Sequence, residues 1–430
     1  MLLEALAEAD AQGIRGKAVT PFLLSYIVGA SGGRSLEVNL DIARNNVRLA
    51  GQIATAWSEL GRHVSAPPAD LHLPVRVVVF GDVFDDIIVK PTAPVRSDTD
   101  TLAGIERRPG GSAANTAAWL GALGTQVDFV GRTNLADTVR HETALRNSGV
   151  TPHLLGESTL PTGTIVVIVE GNTRTMLTER GANALTSPND VSDALLQVAT
   201  HLHFTGYTIF SGQPHGDFAR LISRAHEHGV TVSVDPASSG FIADHGAQTF
   251  LDAVAGADIL FPNRDEAMAL TGLSDDAAMV DALTEHFAVV ALTLGRSGAL
   301  IGAGAPAGAD PQTGARAQLG AGAQISADAP GATSATPGIR FAVPCQPVEP
   351  RDTTGAGDAF NAGFLAGLFE GSYAGERPFS RSASSALESR LQTAASRGVA
   401  TAARAIENVG ARPPGVVTHH HGLNAPGALH

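Results

Sequence analysis

The chain has 430 residues, of which 43% are hydrophobic and 17% are charged, so it can bury a large core and is not wholly disordered. Its formal net charge of -13, from 29 basic and 42 acidic side chains, disfavours a nucleic-acid surface. The single cysteine, Cys345, cannot form an internal disulfide, and the acidic N-terminus does not resemble a secretory signal. No apolar run reaches the ~18 residues needed to span a bilayer. We therefore expect a cytoplasmic protein that binds neither nucleic acid nor membrane.

The N-terminal segment differs from the rest of the chain in its pattern of apolar residues. Apolar residues from Leu36 to Trp57 are spaced alternately four and three apart, which predicts one long amphipathic helix. Prolines at 67, 68 and 74 then end the helical pattern. We expect an N-terminal helical segment over 1–62, a linker over 63–74 and a main domain over 75–414.

The main domain alternates short apolar runs with helical stretches. The runs begin at Val75, and the first helix is predicted over Ala113 to Leu123. This alternation is typical of βαβ units, so we predict an α/β fold in which helices cover both faces of a parallel sheet. A hairpin around Gly171-Asn172 predicts a separate antiparallel flap. The segment 302–338 is a low-complexity insertion, and the tail over 415–430 is expected to be disordered.

The most informative sequence is Asp352 to Asp358, which stands directly before an apolar helix. Two glycines in this turn allow the backbone N–H groups of Gly355, Ala356 and Gly357 to converge on an anion at the helix N-terminus. Asp358, in the first helical turn, could then accept a proton from an attacking alcohol. The alternative is an ordinary acid that caps the helix.

A second glycine-rich turn, Gly110-Gly111-Ser112, also precedes an apolar helix. Its glycines permit close approach of a ligand, and Asn115 offers both a donor and an acceptor for vicinal hydroxyls. The pattern therefore indicates a polyol-binding site. The alternative is a helix start whose glycines serve only the turn.

Three weaker elements follow other predicted strands. Gly81 to Asp86 places carboxylates at the edge where open α/β sheets bind ligands. Asn263 to Glu266 could organise Mg²⁺ through water, although an N-capping turn explains it equally well. Thr293 to Gly298 forms a glycine turn that could receive a nucleotide. No Gly-x-x-x-x-Gly-Lys-Ser/Thr sequence is present, which excludes a Walker-type phosphate loop.

Together, Gly110 to Asn115 and Asp352 to Asp358 resemble the two signatures of the ribokinase family, also called the phosphofructokinase-B carbohydrate kinases. The resemblance covers about Val75 to Pro414. It implies a three-layer αβα fold with a small β-sheet lid, the use of ATP and Mg²⁺, and phosphorylation of a hydroxymethyl group on a sugar or nucleoside. It also implies that two lids can pair in a homodimer.

The same resemblance assigns roles by position. Asp358 is the general base, and the anion hole consists of Gly355, Ala356 and Gly357. The acceptor is held by Asp86, Gly110, Gly111 and Asn115. The nucleotide is bound by Asn263, Thr293, Gly295, Gly298 and Thr353, while Glu266 serves Mg²⁺ through water. The family's second glycine is missing before Asp137, so the resemblance assigns no role to that aspartate.

The N-terminal segment carries a second resemblance. Gly13 to Leu24 and Gly33 to Leu40 are similar to the C-terminal end of the pseudouridine-5′-phosphate glycosidase family. That family's metal-binding acids and Schiff-base lysine have no counterpart here, so we expect the segment to be inactive alone and a separate glycosidase domain or protein to act with the kinase. Since a kinase makes the 5′-phosphate that this glycosidase cleaves, the resemblance implies that the acceptor is pseudouridine.

Two other functions stay open. One is a kinase for ribose, adenosine or a sugar phosphate, in which Arg180, after the flap, is the main candidate among several arginines for binding the acceptor. The other is a non-catalytic binding or scaffold protein that assembles through its N-terminal helix. The complete element from Gly355 to Asp358 argues against the second alternative.

Overall fold

The computed structural model describes residues 1–63, 74–170, 173–211, 214–304, 338–372 and 384–414. The chain divides into two structural units, Met1–His72 and Leu73–His430. Most of the predicted linker over 63–74, most of the segment over 302–338 and the whole tail over 415–430 lie outside the described residues. Within the described ranges, no helix combines the length and the apolar character needed to cross a lipid bilayer.

The N-terminal unit contains three helices: α1 (Leu2–Ala11), α2 (Val19–Ala30) and α3 (Arg34–His63). The long helix predicted from the apolar spacing is therefore confirmed. The apolar side chains described in this helix, over 34–52, are exposed, with Leu36 at 48% and Val47 at 73% exposure. Among the described side chains of this unit, only Ala5 and Ala9 are buried. The unit buries little apolar surface of its own.

The second unit alternates strands and helices along the chain. Its first part contains β1 (Arg76–Phe80), β2 (Phe84–Pro91), β3 (Ala103–Gly110), α4 (Ser112–Ala122), β4 (Gln126–Asn134), α5 (Thr138–Arg146), β5 (Val150–Glu157), β6 (Gly163–Glu170), β7 (Thr173–Glu179) and α6 (Asp193–Leu196). Its middle part contains β8 (His201–Thr205), α7 (Gly206–Ile209), α8 (His215–Glu227), β9 (Thr231–Asp235), α9 (Ser239–His245), α10 (Ala247–Ala253), β10 (Ile259–Leu260), α11 (Arg264–Thr271) and α12 (Asp276–Thr284). Its last part contains β11 (Val289–Thr293), β12 (Ala299–Ala303), β13 (Ile339–Val343), α13 (Ala356–Leu368) and α14 (Ser384–Ile406).

The main sheet has nine strands in the order β13-β12-β11-β10-β9-β8-β1-β4-β5. The seven strands from β11 to β5 are parallel, and β12 and β13 add two antiparallel strands at one edge. The apolar runs of β1, β4, β8, β9, β10 and β11 are buried on both faces, as the sequence predicts, whereas the edge strand β5 is largely exposed. The carboxyl ends of the parallel strands therefore form one edge, where ligands of such sheets bind.

Helices cover both faces of this sheet and complete the predicted three layers. Val77 and Val79 of β1 belong to the core shared with α4, α13 and α14. Val78 and Phe80 of the same strand belong to the core shared with α8, α10, α11 and α12. Alternate side chains of one strand thus enter two cores, because successive side chains of a strand point to opposite faces.

A separate four-stranded sheet, in the order β3-β2-β6-β7, forms the lid. The predicted hairpin is confirmed as the antiparallel pair β6 and β7. The prediction of a purely antiparallel flap was wrong, because β2 and β6 pair in parallel. Both strands leave the same edge of the main sheet, β2 after β1 and β6 after β5, so they enter the lid in the same direction.

The strand β12 includes Gly302 and Ala303, which the sequence pattern assigns to the low-complexity insertion. Gly302 pairs with Val290 of β11 and with Arg340 of β13. A Cβ atom at Gly302 would overlap the side chain of Val280 in α12. Gly302 therefore serves the packing of a helix against a strand.

Candidate functional site

The carboxylate of Asp358 lies where α13 meets α4. Gly355 is the N-cap of α13, with a left-handed φ of 75°, and this turn brings Asp358 into the first helical turn. The hydroxyl of Ser112 donates to Asp358 Oδ1 at 2.6 Å, and Asn115 Nδ2 donates to Oδ2 at 3.0 Å. The two signatures of the sequence are thus joined through one buried carboxylate.

Burial raises the pKa of Asp358 to about 7. The hydrogen bonds from Ser112 and Asn115 favour the ionised form and lower this pKa, whereas the nearby carboxylates of Asp235 and Asp82 raise it. A carboxylate with a pKa near neutrality can accept a proton at neutral pH. The environment therefore suits Asp358 to general-base catalysis.

The N-terminus of α13 is open to a ligand. A Cβ atom at Gly357 would meet no other heavy atom within 4 Å, so space remains in front of this turn. At Gly355 a Cβ atom would lie 2.6 Å from Ala411 Cβ, which explains the glycine. The first N–H groups of a helix have no partner within the helix and carry partial positive charge. Gly355, Ala356 and Gly357 can therefore receive an anion, although Ala356 N also donates to Thr353 O at 3.4 Å.

The N-terminus of α4 is already filled by a side chain of the protein. Asp82, which follows β1, accepts hydrogen bonds from Ser112 N at 2.7 Å and from Ala113 N at 3.2 Å. Thr205 Oγ1 also donates to Asp82, at 3.1 Å. Since these backbone donors have a partner, the second glycine-rich turn is not an anion site.

Asp86 and Gly110 lie together at the root of the lid, as their shared predicted role requires. A Cβ atom at Gly110 would overlap the Asp86 carboxylate. Asp85, the neighbouring acid, instead lies beside His141 and pairs with Arg140 at 2.6 Å, and these two residues hold the pKa of Asp85 below its ordinary range. Burial raises the pKa of Asp86 to about 6. Asp86 is therefore the acid of this pair that is available to a ligand.

A cavity of about 690 Å³ next to Asp86 is lined by the lid and by the loop before α13. Ile88, Val167 and Val169 of the lid strands and Val409 and Ala411 of the turn after α14 contribute apolar lining. Its basic lining residues are Lys90, Arg108, Arg174, Arg351 and Arg412. The cavity can thus hold an acceptor with an apolar ring or with an anionic group.

Two predicted binding residues, Arg180 and Thr353, do not lie beside the other residues assigned to the same substrate. Arg180 donates to the backbone oxygen of Tyr207 at 3.3 Å, stacks on Phe241 and does not line the cavity beside Asp86. Thr353, assigned to the nucleotide by resemblance, lines that cavity. Asp137, to which no role was assigned, pairs with Arg140 at 2.8 Å.

The predicted magnesium residues form a capping box at the start of α11. Asn263 Oδ1 accepts from Glu266 N, and Glu266 Oε2 accepts from Asn263 N, both at 2.9 Å. Burial and the neighbouring Asp235 raise the pKa of Glu266, and burial raises that of Asp235. Two desolvated carboxylates fit a divalent cation. In the described ranges no three His, Cys, Asp or Glu side chains are placed to hold one metal ion, so water and phosphate oxygens would complete the shell.

The predicted nucleotide residues lie at the same edge of the main sheet. Asn263 and Thr293 form a parallel β-bridge, and Thr293 N donates to Pro262 O at 2.9 Å. Gly295 and Gly298 then shape the turn into β12, with φ values of 56° and 91°. A side chain at Gly298 would overlap the backbone oxygen of Val343. These residues form a backbone-lined rim beside the capping box.

Four residues of the site were missed or left without a role by the sequence analysis: Ser112, Asp235, Asn361 and Arg412. Asp235 ends the strand β9, and its position at the carboxyl edge could have identified it. Asn361 Nδ2 donates to Asp235 Oδ2 at 2.6 Å. Ser112 belongs to the quoted glycine motif, but only the folded structure shows that it contacts Asp358.

The fold and this site define a phosphotransferase. A family model described as pfkB family carbohydrate kinase matches residues 75–311 and 325–418. Because this match covers most of the chain, the chain belongs to the pfkB family of carbohydrate kinases, and it is an ATP-dependent kinase. A second model, described as Indigoidine synthase A like protein, matches residues 1–56.

Curated relatives match the two parts of the chain separately. Pseudouridine-5′-phosphate glycosidase of Frankia alni is 52% identical over 69 residues, which are 16% of this chain and 19% of the glycosidase. The chain thus spans about a fifth of that enzyme. The ATP-dependent ribose-1-phosphate kinase of Halopiger xanaduensis is 29% identical over 299 residues, which cover 68% of this chain and 84% of that kinase.

Solved structures confirm the fold. Adenosine kinase from Sinorhizobium meliloti superimposes with a TM-score of 0.60 and 22% identity, over 79% of this chain and 96% of that chain. A putative ribokinase II from Escherichia coli, in complex with ATP and Mg²⁺, gives a TM-score of 0.57 and 18% identity, over 79% and 94%. The ribokinase-like fold predicted from the sequence is therefore confirmed.

Proposed function

We propose that the chain transfers the γ-phosphoryl group of ATP to the 5′-hydroxyl of pseudouridine, giving pseudouridine 5′-phosphate and ADP. The observation that carries the chemical step is the Asp358 carboxylate, held by Ser112 and Asn115 beside the open N-terminus of α13. The choice of acceptor is supported by the likeness of the N-terminal residues to pseudouridine-5′-phosphate glycosidases.

In the proposed reaction Asp358 removes the proton of the acceptor hydroxyl. The hydroxyl oxygen forms a bond to the γ-phosphorus while the bond from that phosphorus to the bridging oxygen breaks, and ADP leaves with the electron pair. The proton stays on Asp358. The N–H groups of Gly355, Ala356 and Gly357 stabilise the negative charge on the transferred group.

The other predicted residues bind and orient the two substrates. Asp86, Gly110, Gly111 and Asn115 hold the sugar hydroxyls. The rim formed by Asn263, Thr293, Gly295 and Gly298 receives the nucleotide. Bound Mg²⁺ would neutralise phosphate charge, and Glu266, through water, together with Asp235 would hold it. The apolar lid residues exclude water from the acceptor.

A phosphorylated sugar is the second candidate acceptor. The basic residues of the cavity lining favour it, as does the likeness to a ribose-1-phosphate kinase. Part of this positive charge is already paired, because Arg174 contacts Asp352 at 2.9 Å and Arg108 contacts Glu106 at 2.7 Å. The apolar lid residues in the same cavity suit the base of a nucleoside better.

The test is ATP-dependent product formation with Mg²⁺ and pseudouridine, uridine, adenosine, ribose or ribose 1-phosphate, with kcat/KM measured for each. We expect pseudouridine to have the highest value. Uridine is the matched control, because it differs only in the bond between sugar and base. A higher kcat/KM for ribose 1-phosphate would replace pseudouridine by the second candidate, while equal values for all acceptors would contradict both.

A further inference from the structure

An arginine that follows the last helix reaches into the acceptor site. Arg412 Nη2 donates to the backbone oxygen of Gly110 at 3.1 Å, and its Nε donates to Asn115 Oδ1 at 3.3 Å. Both partners belong to the glycine-rich turn and helix assigned to the acceptor. Arg412 is 297 residues from Asn115 in sequence, so no local pattern could predict this contact.

The backbone around Arg412 is held in place from three directions. Trp119 Nε1 of α4 donates to Ala411 O at 2.9 Å. Gly410 N donates to Asp352 Oδ2, in the loop before α13, at 3.0 Å. Arg108 of the lid strand β3 donates to Val409 O at 2.8 Å. The turn therefore fixes the position of Arg412 relative to the lid, the anion hole and α4.

Two residues that line this cavity carry complementary polar atoms without a partner. Arg412 Nη1, a donor, and Asp86 Oδ1, an acceptor, are both buried and without a hydrogen bond. Both residues line the cavity of about 690 Å³. A buried donor or acceptor without a partner is costly, so such atoms point to a ligand. A hydroxyl group can accept from an arginine and donate to a carboxylate at the same time.

We propose that Arg412 is a substrate-binding residue, whose Nη1 donates to a ring hydroxyl of the acceptor while Asp86 accepts the proton of that hydroxyl. This rests on the proposed function only in placing the acceptor in the cavity beside Asp86. Burial lowers the pKa of Arg412 to about 10, and the nearby carboxylates of Asp86 and Asp358 oppose this lowering. The guanidinium is therefore charged at neutral pH.

Arg412 also positions the catalytic carboxylate through Asn115. Because Arg412 donates to Asn115 Oδ1, the amide nitrogen of Asn115 points to Asp358 Oδ2. Without Arg412 the amide could rotate and present its oxygen to the carboxylate. A single residue from the C-terminal turn thus connects acceptor binding to the orientation of the base.

The experiment compares Arg412→Gln with wild type, using whichever acceptor of the panel the wild type phosphorylates best. We expect the KM for the acceptor to rise about 10- to 100-fold, the loss expected for a hydrogen bond from a charged group, with the KM for ATP unchanged. Arg404→Gln, an exposed arginine of α14, is the matched control and should equal wild type.

A series of acceptors that each lack one ring hydroxyl identifies the contact. For one of them the loss in kcat/KM relative to the parent acceptor should be about tenfold smaller in Arg412→Gln than in wild type, because the partner of that hydroxyl is gone. Equal losses for every analogue in both enzymes would overturn the proposal and leave Arg412 a residue that only closes the turn. An equal rise in both KM values would also overturn it.

Arg412→Lys keeps the proposal testable if the glutamine variant does not fold, as judged by thermal melting. Lysine keeps the charge and the aliphatic stem but cannot make three hydrogen bonds in the geometry of a guanidinium. The same analogue series should again show a smaller loss for one hydroxyl, and an unchanged set of losses would contradict the proposal. If ribose 1-phosphate proves the best acceptor, the pseudouridine assignment fails while this test still applies.

Discussion

Two helix starts with similar sequences have different chemistry in this chain. At α4, Gly111 leads into a turn whose N–H groups are bound by the Asp82 carboxylate. At α13, Gly355 leads into a turn that no side chain caps, with open space beside Gly357. The comparison teaches that a glycine-rich helix start is an anion site only where no side chain of the protein already fills it.

The largest expected effect is at the α13 turn. Asp358→Asn should lower kcat by about 10²- to 10⁴-fold, the range for a general base, because asparagine cannot accept the proton. Acceptor binding should persist, since Ser112 and Asn115 keep a polar partner. Steady-state rates and calorimetric titration check this. Asp217→Asn, an acid in the first turn of α8, is the matched control, and wild-type turnover in Asp358→Asn would contradict the assigned role.

The same variant has a consequence for stability. Asp358 has a pKa of about 7 in the folded chain, above its ordinary value of 3.8, so between these values the folded state binds a proton that the unfolded state releases. The stability of the wild type therefore falls as the pH rises through this window. Asp358→Asn should melt at a higher temperature than wild type at pH 8. A lower Tm at that pH would contradict the claim that the ionised, buried carboxylate destabilises the fold.

The next largest effect is expected from a substitution that distorts the anion hole without removing a functional group. Gly355→Ala places a Cβ atom at a left-handed φ of 75° and 2.6 Å from Ala411 Cβ, so the turn must shift. We expect kcat/KM to fall about 10²-fold, as when one donor to a developing charge is lost. Gly216→Ala in α8, where the new Cβ has room, is the control. An unchanged kcat/KM would exclude this turn from the phosphoryl site.

The matching change at α4 should affect folding more than ATP binding. Gly111 has a φ of 98°, and a Cβ there would lie 2.6 Å from the backbone oxygen of Asp82. Gly111→Ala should therefore lower the free energy of unfolding by about 2–3 kcal/mol, measured by urea denaturation. The KM for ATP should change little, because these N–H groups do not bind phosphate. A selective rise in that KM would contradict the contrast between the two turns.

The smallest effect should lie outside both turns. Deletion of residues 1–62 removes exposed apolar side chains such as Leu36 and Val47 and none of the proposed site residues. We expect improved solubility, measured by size-exclusion chromatography, and an unchanged kcat/KM. Loss of kinase folding in the deletion would show that the second unit depends on the first.

The sequence predicts the fold well because burial shapes local patterns. The apolar runs of β1, β4, β8, β9 and β11 report strands buried on both faces, and the hairpin of β6 and β7 carries its own turn signal. The parallel pairing of β2 with β6 has no local signal, because it depends on where two distant strands leave the main sheet. Strand β12 was partly missed because Gly302 serves packing.

In the candidate site, too, features within one short motif could be predicted, whereas contacts between distant residues could not. The turn at Gly355 and the acid at Asp358 lie within one short motif, so their chemistry could be inferred together. Ser112 and Asp358 are 246 residues apart, and their hydrogen bond exists only in the folded chain. Arg412 was missed for the same reason, and its surroundings in the sequence resemble an ordinary helix end.

The most direct test of the account is the pH dependence of kcat/KM in wild type and Ser112→Ala. In wild type the value should fall as the pH decreases through about 7, because Asp358 takes up a proton and can no longer act as a base. The hydrogen bond from Ser112 lowers the pKa of Asp358, so Ser112→Ala should move this inflection to higher pH. An inflection that does not move, or a flat profile between pH 5 and pH 9, would show that Asp358 is not the base.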